Sequence, residues 1–370
     1  MTTDKLGLYV HIPYCVRKCN YCDFCSLTNG RGDVPDEYIG ALVREILSYK
    51  DKPVGTLDTV YFGGGTPSLL SMRKLSKIMD AVREVFDISP SAEITFEANP
   101  GTLTRDKAIA FKQCGFNRVS LGLQSIHEKE MKKLGRIHNY QEFLNTFSLL
   151  RELGFDNVSV DLMYGIPYQT KDSFLESVNA LISLSPEHIS AYGLMVEEGT
   201  PFYNDADLAL PTLDEECDMY ELACRALSEA GYEHYEISNY AKPGYRSRHN
   251  SLYWHLGEYI GVGAAAHSFF FGKRFYNTDN VSEYISGRVN TVLEDDEVDL
   301  SYEYAMLALR LKEGFSLSEY EARFGRSFTE GKEDILERLE DEGLITLGDG
   351  RIALTEHGFY LSNSILIEIL

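Results

Sequence analysis

Cys15, Cys19 and Cys22 fall within eight residues, separated by three and then two positions. Thiolates are soft donors suited to iron–sulfur clusters and zinc. Three is one fewer than a closed four-coordinate site uses. A [4Fe-4S] cluster held by these three would therefore keep one iron open to a small molecule. Cys25 follows three residues later and could complete a four-thiolate zinc or ferredoxin-like site instead. The spacing alone leaves both readings open.

Other residues could take part in chemistry. The run Gly63-Gly64-Gly65-Thr66-Pro67 would let backbone N–H groups approach a carboxylate, or simply form a tight turn. Glu97, Gln124 and Asp161 are polar residues inside apolar runs. Taken singly, each reads as a satisfied core or loop residue. Arg136 lies in a Lys-rich stretch, where a solvated charge is the ordinary expectation.

Short apolar runs alternate with amphipathic stretches over the first 200 residues. The strands are expected at Leu8–Pro13, Thr59–Gly63, Glu93–Asn99, Arg118–Gln124, Asn157–Leu162 and His188–Leu194. Helices are expected at Asp36–Lys50, Met72–Phe86, Tyr140–Leu153 and Asp172–Leu184. Six βα units imply a parallel sheet with outer helices, because parallel strands need crossovers. The α/β architecture predicted is a partial (β/α)6 TIM-like barrel, whose chemistry gathers at the C-terminal strand ends. The cysteine loop, the glycine run, Glu97, Gln124 and Asp161 all fall at or near those ends.

The rhythm changes near residue 205. Residues 206–298 read as a connecting region packed on the open side of the barrel, with one long helix in Thr212–Gly231. Residues 299–370 read as a winged-helix-like domain. Its helices are expected at Glu303–Lys312, Ser316–Phe324, Glu330–Glu342 and Glu356–Leu370, with a hairpin of Leu344–Leu347 and Arg351–Leu354.

The net charge is −22 over 370 residues, which opposes binding to nucleic acid. The C-terminal region, with 7 Lys/Arg against 14 Asp/Glu over residues 301–370, shares that sign and does not suit DNA. The 44% hydrophobic content fits a globular chain. Seven cysteines, four of them packed into residues 15–25, make a poor disulfide framework and predict a reducing cytosol. No apolar run approaches the ~18 residues of a membrane span. Peripheral contact with a membrane stays compatible with the sequence.

The stretch from Tyr9 to Cys22 resembles the Y-x-H-I-P-[FWY]-C-x3-C-x-[FY]-C signature of the HemN/HemW branch of the radical S-adenosylmethionine (SAM) superfamily. The resemblance extends through Gly63–Ser68, Glu97-Ala98-Asn99-Pro100, Gly122-Leu123-Gln124-Ser125, Leu134-Gly135-Arg136 and Asp161. It implies that Cys15, Cys19 and Cys22 hold a [4Fe-4S] cluster. It also implies that Tyr9, Gly64, Gly65, Thr66, Glu97, Gln124, Arg136 and Asp161 surround SAM. Tyr21 would stack near the adenine, and Met195 would add backbone contacts.

His249-Asn250-Ser251-Leu252-Tyr253-Trp254 is similar to the H-N-x-x-Y-W motif of HemW-type haem chaperones. Outside that frame it reads as a loop histidine with two aromatic core anchors. Within it, His249 is implied as an axial haem ligand, with Asn250, Tyr253 and Trp254 around the macrocycle. His267 is the second choice of ligand, and His11 is a strand residue near the cluster. The resemblance further implies dimerisation on haem binding and delivery to an acceptor, a respiratory membrane protein. It leaves open whether SAM is cleaved, and it names no catalytic residue.

The alternative within the branch is the HemN type, an oxygen-independent coproporphyrinogen III dehydrogenase. That type carries a fourth cysteine where Phe24 stands here, and an arm ahead of the barrel where only eight residues precede Tyr9. Both departures count against it. An electron-transfer or zinc protein using Cys25 would leave the glycine run and Glu97 unexplained.

Overall fold

The computed structural model describes residues 5–28, 32–287, 292–293 and 299–370. Six strands form its centre: β1 (Leu6–Ile12), β2 (Leu57–Gly64), β3 (Ile88–Ala98), β4 (Arg118–Gln124), β5 (Val158–Tyr164) and β6 (His188–Gly193). They pair in parallel in sequence order. Between them run α1 (Asp36–Leu47), α2 (Met72–Val85), α3 (Arg105–Gln113), α4 (Glu128–Lys133), α5 (Tyr140–Glu152) and α6 (Lys171–Leu184). The sequence reading did not single out α3 or α4.

Helix starts are chemically marked. Ser71 accepts from the Lys74 N–H at the head of α2. Asn139 with Glu142, and Thr170 with Ser173, form reciprocal caps on α5 and α6. The strands obey a period of two. Leu8, Val10, Phe62, Phe96, Val119, Leu121, Val160 and Ile189 are buried in the main core. The alternate positions carry Tyr9, His11, Tyr61, Glu97, Ser120, Asp161 and Tyr192, several of which line a cleft at the strand ends.

Residues 206–298 do more than connect. After α7 (Leu213–Glu229), β7 (Glu233–Glu236) and β8 (Asn239–Ala241) extend the sheet antiparallel beyond β6. After α8 (Arg248–Trp254), β9 (Tyr259–Val262) pairs in parallel with β1 on the opposite edge. β10 (His267–Phe270), β11 (Lys273–Tyr276) and β12 (Val292–Leu293) continue outward antiparallel, with α9 (Val281–Ser286) between the last two. The order is β12-β11-β10-β9-β1-β2-β3-β4-β5-β6-β8-β7, an open sheet. The expected covering segment therefore supplies both sheet edges. These strands are only two to four residues long, so their periodicity carries little signal.

The C-terminal region contains α10 (Leu300–Ala308), β13 (Phe315–Ser316), α11 (Leu317–Phe324), α12 (Glu333–Asp341), β14 (Ile345–Gly348), β15 (Arg351–Leu354), α13 (Glu356–Tyr360) and α14 (Ser362–Ile369). Its three strands form a small sheet in the order β13-β15-β14. The single helix expected over 356–370 is two helices joined at Leu361, whose backbone leaves helical geometry. The boundary expected at residue 298 lies outside the described residues.

Candidate functional site

The cleft at the C-terminal strand ends opens to solvent and spans about 1020 Å³. Cys15, Cys19 and Cys22 lie on one wall. Gly64, Gly65, Thr66, Glu97, Gln124, Arg136, Asp161 and Tyr21 complete much of the rest. Eight of the ten residues expected around SAM thus share one cleft with the three cysteines.

Donors are aimed at the thiols. Thr66 Oγ1 donates to Cys15 Sγ at 3.4 Å, and Arg136 Nη1 donates to Cys19 Sγ at 3.5 Å. Such donors favour the thiolate a metal needs. Without a metal, burial pushes the Cys15 and Cys22 thiols up. Cys25 is directed elsewhere: its Sγ donates to the Asp279 carbonyl at 3.4 Å, and it lines a neighbouring cavity. Among the described residues, no three His, Cys, Asp or Glu side chains converge to hold a single metal ion.

The glycine run closes against the cysteine loop. A Cβ on Gly65 would meet the Tyr14 backbone N and O at 2.8 Å. Gly64 has φ +109, and its N–H donates to Glu97 Oε2 at 3.1 Å. Glu97 Oε1 accepts from Tyr61 OH at 2.8 Å. Burial and the nearby Asp161 raise the Glu97 carboxyl to about 7, against these two donors and Arg118. Burial also raises Asp161, which accepts from Ser120 Oγ at 3.1 Å. Two carboxyls held above their ordinary range in one cleft suit a cationic ligand group.

The cleft keeps polar atoms in reserve. Gln124 Oε1 and Arg136 Nε are buried without partners. Gln124 also holds φ 69, a left-handed backbone costing about 1–3 kcal/mol in a non-glycine residue. The donor set, the orphaned atoms and the cradle at Gly65 fit a three-thiolate cluster with a zwitterionic ligand beside it.

Two expected contacts differ. Tyr9 does not line the cleft. It lies lower in β1, where its OH pairs with His11 Nδ1 at 3.0 Å and its ring stacks on Tyr61. Met195 follows β6 and is 66% exposed, outside the cleft lining. Sequence reasoning missed Asn99, Ser120, His138 and Tyr192, all of which line the cleft. Asn99 bridges Arg136 Nη2 at 2.6 Å and Thr66 Oγ1 at 3.0 Å. Its place immediately after Glu97-Ala98 at a strand end was the available signal.

Helix α8 carries the H-N-x-x-Y-W residues. Glu93 on β3 accepts from the backbone N–H groups of Arg248 and His249, each at 3.1 Å, and fixes the start of α8. The His249 ring is buried and both its nitrogens are engaged. Nδ1 meets Thr59 Oγ1 at 2.8 Å and Nε2 meets Tyr253 OH at 2.6 Å. Burial, with Arg118 nearby, lowers the imidazole to about 3. His249 thus offers no open nitrogen to a haem iron in this conformation, contrary to expectation, because the motif folds inward on the sheet. Asn250 lines neither neighbouring cavity; its backbone N–H donates to the Ser247 cap at 3.3 Å.

Tyr253 does reach a surface. With Tyr9, His11, Phe24, Cys25, Tyr259 and His267 it lines a cavity of about 890 Å³ beside the cysteine loop. His267 is exposed there and stacks on Tyr276 at 5.0 Å. Trp254 lines a second cavity, which shares Tyr253 and Tyr259 with the first.

Comparison with known proteins bears on this geometry. A model described as the Radical SAM superfamily matches residues 9–181, and one described as the HemN C-terminal domain matches residues 296–361. The chain is 36% identical to heme chaperone HemW of Bacillus subtilis, covering 96% of this chain and 97% of that one. It is 38% identical to heme chaperone HemW of Escherichia coli, covering 98% and 97%. The fold superposes on coproporphyrinogen III oxidase HemN of Escherichia coli, a radical SAM enzyme, with a TM-score of 0.87. That match covers 98% of this chain and 89% of HemN at 22% identity, so the likeness is one of fold.

Proposed function

The chain belongs to the HemW family of haem chaperones within the radical SAM superfamily, and from that premise we propose that it binds haem and passes it to an acceptor protein. The observation that carries the reading is the near-full-length similarity to haem chaperones, in a chain whose Tyr253 opens onto a cavity beside the cysteine loop.

The superfamily's cofactors are a [4Fe-4S] cluster and SAM, which supply redox and radical chemistry when bound. Here Cys15, Cys19 and Cys22 would hold the cluster, with Thr66 and Arg136 donating to two of the sulfurs. Glu97 and Asp161 would face the cationic groups of SAM, while the Gly64 and Gly65 N–H groups are engaged by Glu97 Oε2 and the Ile12 carbonyl and hold the strand end in place. Arg136 ties the Asn99 side chain and the Gly122 carbonyl into one frame, at 2.6 and 2.9 Å.

Haem is the cargo. Tyr253 and Tyr259 offer it aromatic packing, and His267, on the rim of the same cavity, is the candidate iron ligand. Ligation by His249 would require one of its two ring hydrogen bonds to break, the one from Nε2 to Tyr253 OH being the nearer to the cavity. Dimerisation with haem, transient membrane contact and delivery to a respiratory membrane protein complete the proposal. No helix among the described residues is long and apolar enough to cross a membrane.

The test is anaerobic haem titration of the reconstituted protein, followed by optical spectra. Saturable binding in the wild type is expected, with loss of the ligand signature in His267→Ala. Absence of specific binding in the wild type refutes the chaperone reading. A signature lost in His249→Ala and kept in His267→Ala moves the ligand to α8. The decarboxylase reading is the weaker one, because Phe24 occupies the position of that enzyme type's fourth cysteine. Anaerobic turnover of coproporphyrinogen III would establish it.

A further inference from the structure

Strand pairing gathers a set of side chains beside the aromatic cavity. Tyr259 on β9 pairs with Phe269 on β10, and Phe269 with Arg274 on β11. Directly paired residues share a sheet face, so the three stand in one row. The Arg274 guanidinium lies 4.9 Å over the Phe269 ring, and its Nη1 donates to Tyr259 OH at 3.1 Å. Its Nη2 pairs with Glu303 Oε1 on α10 at 2.5 Å. Trp254, at the end of α8, closes the same cavity, with the Arg310 guanidinium 4.5 Å over its indole.

The hydrogen bonding of this cavity is incomplete. Arg274 Nε and Trp254 Nε1 are both buried N–H donors without an acceptor, and Glu303 Oε2 is buried without a donor. Each orphaned buried donor costs about 1–3 kcal/mol, and native structures keep few of them without a reason. Two unpaired N–H donors, one on a guanidinium, match a carboxylate. The Glu303 carboxylate already holds Nη2, which shares an edge of the guanidinium with Nε, so an incoming carboxylate competes with it.

We propose that Arg274 and Trp254 form the carboxylate-recognising end of the haem site, where a propionate accepts from Arg274 Nε and Trp254 Nε1 and Glu303 is its built-in competitor. This rests on the haem-binding reading above. Its geometry follows from register. His267 pairs with Tyr276 and Phe269 with Arg274, so His267 and Arg274 share one face, one strand and two residues apart. Strand rise and spacing place such a diagonal pair about 8 Å apart at the backbone. Tyr253 and Tyr259 line both cavities. A macrocycle over those rings, with iron toward His267, directs its acidic edge to Arg274.

The test compares two ligands on the full, cluster-reconstituted chain: haem, and haem dimethyl ester, whose propionates carry no charge. Wild type binds haem about tenfold to a hundredfold more tightly than the ester, the span of a hydrogen bond to a charged group. Arg274→Gln weakens haem by that factor and leaves the ester unchanged. Trp254→Phe, which keeps the packing, narrows the gap in the same direction. Glu303→Gln tightens haem and not the ester. Equal affinity of wild type for both ligands overturns the proposal while leaving haem binding intact. So does a parallel loss of both in the Arg274 and Trp254 variants, which is structural damage, or a preference for haem that survives both. A wild type that binds neither ligand refutes the haem reading itself, and the proposal with it.

Discussion

Glu97 makes SAM binding depend on pH. Its carboxyl is raised to about 7 by burial and by Asp161 on β5, against Tyr61 on β2, the Gly64 N–H and Arg118 on β4. If the ligand's ammonium group requires the ionised form, binding must first remove the proton. Apparent affinity then falls by the factor 1 + 10^(pKa − pH). With the raised pKa, SAM binds about tenfold more weakly at pH 6 than at pH 8, and about a hundredfold more weakly at pH 5. The same group works in the opposite sense on folding. Protonated Glu97 is the better-tolerated buried form, so its contribution to stability is full below the ordinary 4.5 and is lost as pH rises through about 7. Anaerobic calorimetry in two buffers of different ionisation enthalpy reads both the affinity and the proton released, about half a proton at pH 7. Glu97→Gln should bind weakly at pH 8 and lose most of the slope, with Asp161 left as the remaining buried carboxyl. An affinity flat from pH 8 to pH 5.5, or a Gln variant that keeps the wild-type slope, refutes the electrostatic argument.

Cys25→Ser should incorporate iron and sulfide as the wild type does, since Cys25 Sγ donates to the Asp279 carbonyl, whereas serine at Cys15, Cys19 or Cys22 should abolish incorporation; iron content and the visible spectrum decide. A cluster lost with Cys25 would revive the four-thiolate reading. His249→Ala removes the partner of both Thr59 Oγ1 and Tyr253 OH and should cost about 2–4 kcal/mol in chemical denaturation; a variant as stable as wild type contradicts the inward-folded α8. Acid should destabilise the fold through its buried imidazoles. His249 and His138 are lowered to about 3 and His234 to about 4, chiefly by burial. Each contributes stability that is full above the unfolded value near 6.5 and is lost as pH falls toward its folded value, at about 1.4 kcal/mol per unit. Glu97 works in the opposite sense over the same window, so denaturation midpoints of Glu97→Gln that stay level from pH 6.5 to 4.5 argue against that.

Much of the site was legible because its signals are local. Three cysteines in eight residues, a glycine run and polar residues at strand ends need only spacing and the rule that barrel chemistry gathers at one rim. The βα alternation fixed the parallel core for the same reason, since four of the crossover helices, α2, α3, α5 and α6, carry their own side-chain caps. Tertiary contacts decided the rest. Tyr9 belongs to the signature stretch, yet register places its ring against Tyr61, below the cleft. Asn99 matters through Arg136 and Thr66, which are distant in sequence. The strands that extend both edges are too short to announce themselves, and β9 joins β1 across some 250 residues. His249 is the sharpest case. Its motif marks the right region, but whether the imidazole faces a ligand or the core depends on Thr59, Glu93 and Tyr253 meeting around it. Sequence determines which side chains are available; which of their atoms stay open to a ligand depends on the partners that folding brings to them.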